Sequence, residues 1–350
     1  MSSENNNFTA WAGVENGKPL TQVELTLKQW DENTVEMDVT HCGICGSDVH
    51  TLDENWGPTD YPCVVGHEIV GVVTRVGKNV TNLKVGDRAG VGAQSGACHE
   101  CESCLDDQEN MCQGGIVYTY SSRWPCGDKS YGGYADKWRG DYRFAFKVPD
   151  NMTSEIAATF FCAGITTYAP LKRSNIIPGK SVVGVMGIGG LGHFGVQFAK
   201  ALGAKVVGIS QNDNKREIAL ELGCDDYINA SDEASMAKYN SGLTHILCTG
   251  TSPDFQWHTY FALLKVNGHF INVSAPEWQF PGMSAFTLLS KQIKIYGSGI
   301  GSPKEIEEML AFAAEKDVKP WITTYKMSDI NKAIEDFRAG KPRFRFVLEN

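Results

Sequence analysis

The sequence predicts an α/β chain in two parts: a β-rich stretch of about the first 150 residues, then a doubly wound parallel sheet. Three observations lead there. At 350 residues the chain is longer than one hydrophobic core supports, so two domains are expected. From Ser181 onward short apolar strands alternate with helical segments, the pattern of a parallel sheet covered by crossover helices. The glycine-rich turn Gly187-Ile188-Gly189-Gly190-Leu191-Gly192 directly follows the first of those strands and directly precedes a helix.

In the first part, Thr34–Val39, Val70–Val76 and Asp87–Val91 have strand character, punctuated by turns such as VGKN and KVGD. The second part reads as SVVGVMG, a helix to Ala204, KVVGIS, a helix over Lys215–Leu222, and then DDYINA, THILCTG, GHFINVS and QIKIYGS. After Gly301, PKEIEEMLAFAAEK has helical periodicity and an acidic first turn. The closing RFRFVLE alternates like a strand and is expected to return to the first domain.

Composition is that of a globular protein, with 42% hydrophobic and 21% charged residues. A net charge of −9 without any lysine/arginine run argues against nucleic acid or an acidic membrane surface as partner. The opening MSSENNNFTAWAG lacks a charged-then-apolar signal pattern, and no apolar stretch approaches the roughly 18 residues of a membrane span. Eleven cysteines then read as thiols and thiolates of a reducing compartment, and a cytoplasmic protein is expected.

Four of those cysteines, Cys98, Cys101, Cys104 and Cys112, follow C-x2-C-x2-C-x7-C. Two disulfides are one reading, but cysteines at i, i+3 are awkward disulfide partners and fit tetrahedral ligation better. An iron–sulfur cluster is another, although its usual run ends C-x3-C-P, whereas seven residues precede Cys112 here and Gln113 follows it. A structural zinc ion held by four thiolates is the favoured reading.

The glycine-rich turn matches G-x-G-x-x-G in the strand–turn–helix setting that a dinucleotide site requires. Gly187 permits the tight turn, Gly189 lets the backbone approach the pyrophosphate, and Gly192 lets helix and strand pack closely. Gly190 and Leu191 complete the turn, whose amides face the phosphates at the helix start. An NAD site would carry a carboxylate at the end of the second strand. Here that strand ends in Ser210, and Asn212, Lys215 and Arg216 follow within reach of an extra phosphate. Asp213 lies past the usual position, and Lys215 and Arg216 also read as a solvated helix start. The favoured cofactor is NADP(H).

Upstream, His41-Cys42-Gly43-Ile44-Cys45-Gly46-Ser47-Asp48-Val49-His50 and Gly66-His67-Glu68 contain ligands for a second metal. A catalytic zinc takes three protein ligands and keeps one position open. Cys45 and His67 supply two, and Cys162 in FFCAGITTY is the natural third.

This set, with the four-cysteine lobe and the GxGGxG turn, resembles the zinc-dependent medium-chain alcohol dehydrogenases. It is most similar to the cinnamyl alcohol dehydrogenase branch, including fungal NADP-dependent members. The likeness spans essentially the whole chain and rests on CGICGSDVH, GHEIVGVV and the cysteine lobe. It implies an α/β fold of a GroES-like β-rich catalytic domain (residues 1–153 and 299–350, with the zinc lobe) and a Rossmann domain (residues 154–298). It implies two zinc ions per chain. Cys45, His67 and Cys162 would hold the catalytic one, with Glu68 able to approach it.

By the same likeness Asp48 would hold the second nitrogen of His67, Ser47 and His50 would relay a proton to solvent, and Trp56 and Tyr118 would line an apolar substrate pocket. Cys42, Cys63 and Cys126 would have no metal role, and His41, His99, His193, His245, His258 and His269 match no ligand position. The implied activity is hydride transfer between NADP(H) and a small alcohol/aldehyde pair, reducing aromatic or medium-chain aldehydes to primary alcohols, in a homodimer. Rival readings are an NAD-dependent polyol or secondary-alcohol dehydrogenase, a relative that reduces iminium or C=C bonds without zinc, and a non-catalytic zinc-binding structural protein.

Overall fold

The computed structural model describes residues 6–350. The chain forms two compact units. One comprises the residues up to Cys162 with Gly301–Glu315 and Pro320–Asn350, the other Ala163–Ile300 with Lys316–Lys319.

In the first unit β1 (Asn7–Ala12) pairs antiparallel with β2 (Thr21–Thr26). The main sheet is built around the eleven-residue β3 (Thr34–Ile44), flanked by β4 (Ile69–Val76), β5 (Arg88–Val91) and, after the short β6 (Gln94–Gly96) and β7 (Val117–Tyr118) pair, β8 (Lys137–Asp141) and β9 (Ala145–Lys147). β3 is long enough to serve two partners along one edge. Its first half pairs with β8 and its last residues with β17 (Arg345–Glu349), the strand anticipated from RFRFVLE. β16 (Ile322–Lys326) extends the sheet beyond β17. Val35, Met37, Val39, Ile69, Val73 and Leu348 are buried in its core.

The second unit is a six-stranded sheet in the order β12-β11-β10-β13-β14-β15, parallel throughout, formed by β10 (Val182–Met186), β11 (Lys205–Ser210), β12 (Asp226–Asn229), β13 (Leu243–Cys248), β14 (Leu264–Asn272) and β15 (Lys294–Gly297). All six strands read from the sequence are present. β11 and β12 add on one side of β10 and β13 to β15 on the other, so the order reverses between β10 and β13. Ligands of open α/β sheets bind beyond the strand ends at such a switch point.

Two sequence expectations shift. The helix that follows the glycine-rich turn stops at Ala201, not Ala204. Gly203 ends it at φ +86°, where a Cβ would meet Pro178 at 2.9 Å. Lys215–Leu222 begins as a 3-10 turn over Asp213–Lys215 before becoming a regular helix at Arg216, because the Asn212 side chain accepts the Asn214 amide and closes a tighter turn first. Among the described residues, no helix is long and apolar enough to cross a membrane.

Inside the parallel sheet His245 and His269 are register partners with ring centroids 4.7 Å apart. Thr244 Oγ1 lies 2.8 Å from Nδ1 of His245, and the Ser174 carbonyl 3.2 Å from its Nε2. Burial, opposed by the Ser174 hydrogen bond and reinforced by His269 and Lys294, pushes the His245 imidazole down to about 4. The folded state therefore keeps it neutral while an unfolded chain takes up a proton below pH ~6.5. The unfolded state then binds more protons, so stability falls as pH drops from about 6.5 to about 4, by up to about 3 kcal/mol. Denaturant unfolding at pH 7 and pH 4.5 should show this loss, and His245→Phe should reduce it; an identical acid loss in both proteins would count against His245 as its source.

Candidate active site

β3 ends at Ile44, and Cys45 is the capping residue before α1 (Gly46–Leu52). Asp48, in the first turn, accepts the Cys45 amide on Oδ2 at 2.8 Å, where an acidic side chain suits a helix start. Its Oδ1 accepts the Gly66 amide at 3.0 Å and lies 2.9 Å from Nδ1 of His67. Tyr134 donates its hydroxyl to Oδ2 at 3.1 Å, and the Tyr120 hydroxyl lies 3.1 Å from the same His67 nitrogen. Asp48 is buried at 1% exposure. It thus ties the end of β3 to the segment before β4 and fixes the tautomer of His67, with Nδ1–H on the carboxylate and Nε2 left as a ligand atom. Gly66 must be glycine here: its φ is +97°, and a Cβ would fall 2.5 Å from the Tyr134 ring.

Cys162 follows the short helix α3 (Ser154–Ala158) and a 3-10 turn, and its Sγ lies 3.8 Å from Cys45 Sγ. Ligand atoms of Cys45, His67 and Cys162 all lie within 4.8 Å of one another, in buried side chains. Two thiolates on one tetrahedral ion with bonds of about 2.3 Å stand about 3.8 Å apart, so this donor set fits zinc. A hydrogen bond from the Cys162 thiol, with help from His67 and against burial, holds the Cys45 thiol well below its usual range. The same contact, reinforced by burial, pushes Cys162 up.

Glu68 is fully buried and forms an ion pair with buried Arg345 of β17. Burial raises its carboxyl, Arg345 opposes this and Cys45 adds to the rise, leaving it at about 7. Gly43 makes room for it, since a Cβ there would lie 1.9 Å from Glu68 Oε2.

Ser47 Oγ lies 3.7 Å from Cys45 Sγ. His50, three residues along the same helix, stacks on Trp56 at 4.7 Å between centroids, with Asn55 Nδ2 3.1 Å from its Nδ1. Trp56 and Tyr118 are each about half exposed, at 49% and 50%. Cys42 is fully buried in the sheet core, as a small hydrophobe would be.

In the cysteine lobe Cys101 precedes the short helix α2 (Glu102–Leu105). Sulfur–sulfur distances are 3.4 Å for Cys98–Cys112, 3.9 Å for Cys98–Cys104 and 4.0 Å for Cys101–Cys112. These are far from the ~2.05 Å of a disulfide and fit four thiolates around one ion. Backbone amides of Cys98, Cys101 and Gln113 point at the sulfurs at 3.3 to 3.4 Å, the hydrogen-bonded setting that thiolate ligands require.

In the second unit the turn after β10 leads into α5, which follows α4 (Ala163–Arg173) and spans Gly192–Ala201. Gly187 has φ +88°, and Thr249 donates its hydroxyl to the Gly187 carbonyl at 2.7 Å. A Cβ on Gly192 would lie 1.9 Å from that carbonyl, whereas a Cβ on Gly189 would meet nothing within 4 Å. The turn is therefore packed tightly underneath and open above Gly189, the cradle a pyrophosphate needs. Ser210 closes β11 as the register partner of Asn229. Lys215 Nζ donates to the Ile188 carbonyl at 2.7 Å, beside the turn, while Arg216 pairs with Asp213 at 2.7 Å.

Comparison with known proteins gives the family. Residues 31–150 match the family described as alcohol dehydrogenase GroES-like domain, and residues 190–315 match zinc-binding dehydrogenase. The chain is 40% identical to 8-hydroxygeraniol dehydrogenase of Catharanthus roseus, covering 97% of this chain and 94% of that one. It is also 40% identical to NADP-dependent alcohol dehydrogenase C 1 of Mycolicibacterium smegmatis, covering 97% of each. A solved cinnamyl alcohol dehydrogenase from Sorghum bicolor superimposes with a TM-score of 0.93 at 34% identity, over 98% of this chain and 97% of that one.

The chain belongs to the zinc-dependent medium-chain alcohol dehydrogenase family. Within this alcohol dehydrogenase the structure adds residues that sequence reasoning passed over. Arg345 was legible only as one position of an alternating strand, yet it is the buried partner of Glu68. Tyr120 and Tyr134 carried no motif, yet both reach the Asp48–His67 pair. An arginine at an inward-facing position of β17 is the one signal that could have pointed to the site, since buried arginine requires a partner.

Proposed function

We propose that the chain is an NADP(H)-dependent alcohol dehydrogenase with two zinc ions, reducing aromatic or medium-chain aldehydes to primary alcohols. The observation that carries this reading is the buried Cys45/His67/Cys162 set with the His67 ring locked by Asp48. Zinc held by these three supplies, when bound, Lewis acidity at neutral pH, and NADPH on the cradle of the second unit supplies hydride. The four-cysteine lobe would hold the second zinc.

The chain's own residues do the rest. Asp48 takes the Nδ1 side of His67 and so leaves Nε2 as the ring's ligand atom. Arg345 holds Glu68 beside the thiolates against its burial cost. Proton traffic falls to Ser47, whose hydroxyl is 3.7 Å from the Cys45 sulfur, and to His50 one turn further along α1. A hydroxyl passing a proton to an imidazole suits this task. His50→Ala should slow turnover about 10²- to 10⁴-fold with partial rescue by imidazole buffer; an unchanged pH–rate profile would remove His50 from the relay.

Names of the relatives support the substrate class, since 8-hydroxygeraniol and cinnamyl alcohols are primary alcohols. Trp56 and Tyr118 offer half-exposed aromatic surface for such carbon skeletons. A homodimer is supported by the unpaired edge of β15 and by α9 (Ala285–Leu289), reached after α6 (Arg216–Glu221), α7 (Glu233–Lys238) and α8 (Trp257–Leu263). α9 exposes Phe286 at 78% and Leu289 at 67%. Sedimentation should give about twice the chain mass of 38.3 kDa, and a single-chain mass would refute the dimer. Eleven cysteines without a disulfide support a cytoplasmic setting.

The decisive experiment is a panel of aldehydes and alcohols assayed with NADPH and with NADH. Aromatic and medium-chain aldehydes with NADPH should give the highest kcat/KM. Faster turnover of polyols with NAD would overturn the proposal.

A further inference from the structure

The loop after β11 carries Asp213, Lys215 and Arg216, and their charges are placed in different ways. Lys215 reaches the glycine-rich turn, with Nζ 2.7 Å from the Ile188 carbonyl. Arg216 instead closes on Asp213, with Nη2 and Nε at 2.7 and 2.8 Å from Oδ1. The other carboxylate oxygen, Oδ2, accepts from Asn229 Nδ2 at 3.0 Å. Asn229 ends β12 as the register partner of Ser210, so Asp213 is tied to the strand end that borders the expected 2′-phosphate position. The Arg216 guanidinium lies 4.9 Å from the Tyr227 ring centroid, and the Tyr227 hydroxyl donates to the Asn212 carbonyl at 2.6 Å. Loop, carboxylate and guanidinium are thus joined in one arrangement.

A carboxylate held through Asn229 at this strand end would repel a 2′-phosphate unless its charge were cancelled. Arg216 supplies that cancellation, and a guanidinium already paired with Asp213 and stacked on Tyr227 is committed before any cofactor arrives. We infer that Arg216 sets cofactor choice by neutralising Asp213, with Asn229 holding the carboxylate in place, and that it is not itself the ligand of the 2′-phosphate. This inference rests on the NADP(H) reading and assigns the direct contacts to Ser210 and Lys215. Arg216 is a specificity-determining residue acting through another side chain. Because Asp213 and Arg216 are 56% and 40% exposed, the effect is moderate and weakens with added salt.

The test is calorimetric titration of the full chain with adenosine 2′,5′-bisphosphate and with adenosine 5′-monophosphate, which lacks the 2′-phosphate. Arg216→Gln should weaken the bisphosphate about fivefold by leaving Asp213 uncancelled, and Asp213→Asn should tighten it about fivefold by freeing Arg216. The double variant should return to within about twofold of the unmodified chain. The monophosphate should bind all four proteins alike. Asn229→Ala should weaken bisphosphate binding when Asp213 is present and have no effect beside Asp213→Asn. A double variant as weak as Arg216→Gln alone would make Arg216 a direct ligand and overturn the inference while leaving the NADP(H) reading intact. If the unmodified chain bound both nucleotides equally, the NADP(H) reading itself would fall.

Discussion

Replacing Cys45 with serine is expected to lower turnover about 10³-fold or more while leaving the fold in place. Metal Lewis acidity supplies several kcal/mol of transition-state stabilisation, and each ~1.4 kcal/mol is a factor of ten in rate. The variant should retain about half the zinc of the unmodified chain, because the cysteine lobe does not depend on Cys45. Its fold should persist because β3 and α1 are held by Asp48 contacts that the serine backbone preserves, including the amide bond at 2.8 Å. Cys101→Ser should do the opposite. Cys101 sits between Cys98 and Cys112 and receives the Gln113 amide at 3.4 Å, in a lobe of one short helix, one 3-10 turn and a two-stranded ladder. Metal binding there is folding energy, so this variant should unfold at lower denaturant and be sensitised further by chelators. Zinc analysis and denaturant curves on both variants separate the two sites. Equal zinc loss and equal destabilisation in both would show that the clusters are not distinct in role.

What was legible in the sequence was whatever is encoded locally. All six strands of the second unit are short apolar runs bounded by glycine or acidic turns, so period and punctuation sufficed. The glycine-rich turn was legible because each glycine answers a steric demand, as at Gly192 with no room for a Cβ. The four-cysteine lobe declared itself by spacing. The third candidate ligand was different: Cys162 lies 117 residues from Cys45, and no local spacing joins it to Cys45 and His67, only its place at the entry to the second unit. Arg345 lies 277 residues from Glu68, and no local pattern pairs two charges across that span. Tyr120 and Tyr134 escaped for the same reason, since a tyrosine reveals its hydrogen-bond partner only once the chain has folded. In the cofactor loop the sequence showed charges of both signs, and only the register of β11 with β12 brought Asn229 to Asp213.

Ser210→Asp is expected to remove most of the preference for NADPH. Ser210 closes β11 at the strand end where an NAD enzyme carries a carboxylate that binds the ribose diol and repels a 2′-phosphate. In the unmodified chain Ser210 itself carries no charge to repel the phosphate, and Lys215 stands beside the glycine-rich turn, its Nζ 2.7 Å from the Ile188 carbonyl. A partly exposed, charge-assisted contact of this kind discriminates by about 2–3 kcal/mol, tens to about a hundredfold in affinity. The new carboxylate would set two negative charges against each other within a few ångströms, an opposing term of similar size. It would also accept the diol of NADH, so NADH binding should hold steady or improve. Lys215→Ala should weaken NADPH binding far more than NADH binding, because the 2′-phosphate loses a partner that NADH never used. Raising ionic strength should shrink the NADPH advantage of the unmodified chain, since charges near solvent are screened over about 8–10 Å. Binding of both cofactors to the three proteins, measured at low and high salt, checks each step. Equal affinities for NADH and NADPH in the unmodified chain would refute this reading of the β11 strand end and leave the dehydrogenase assignment standing.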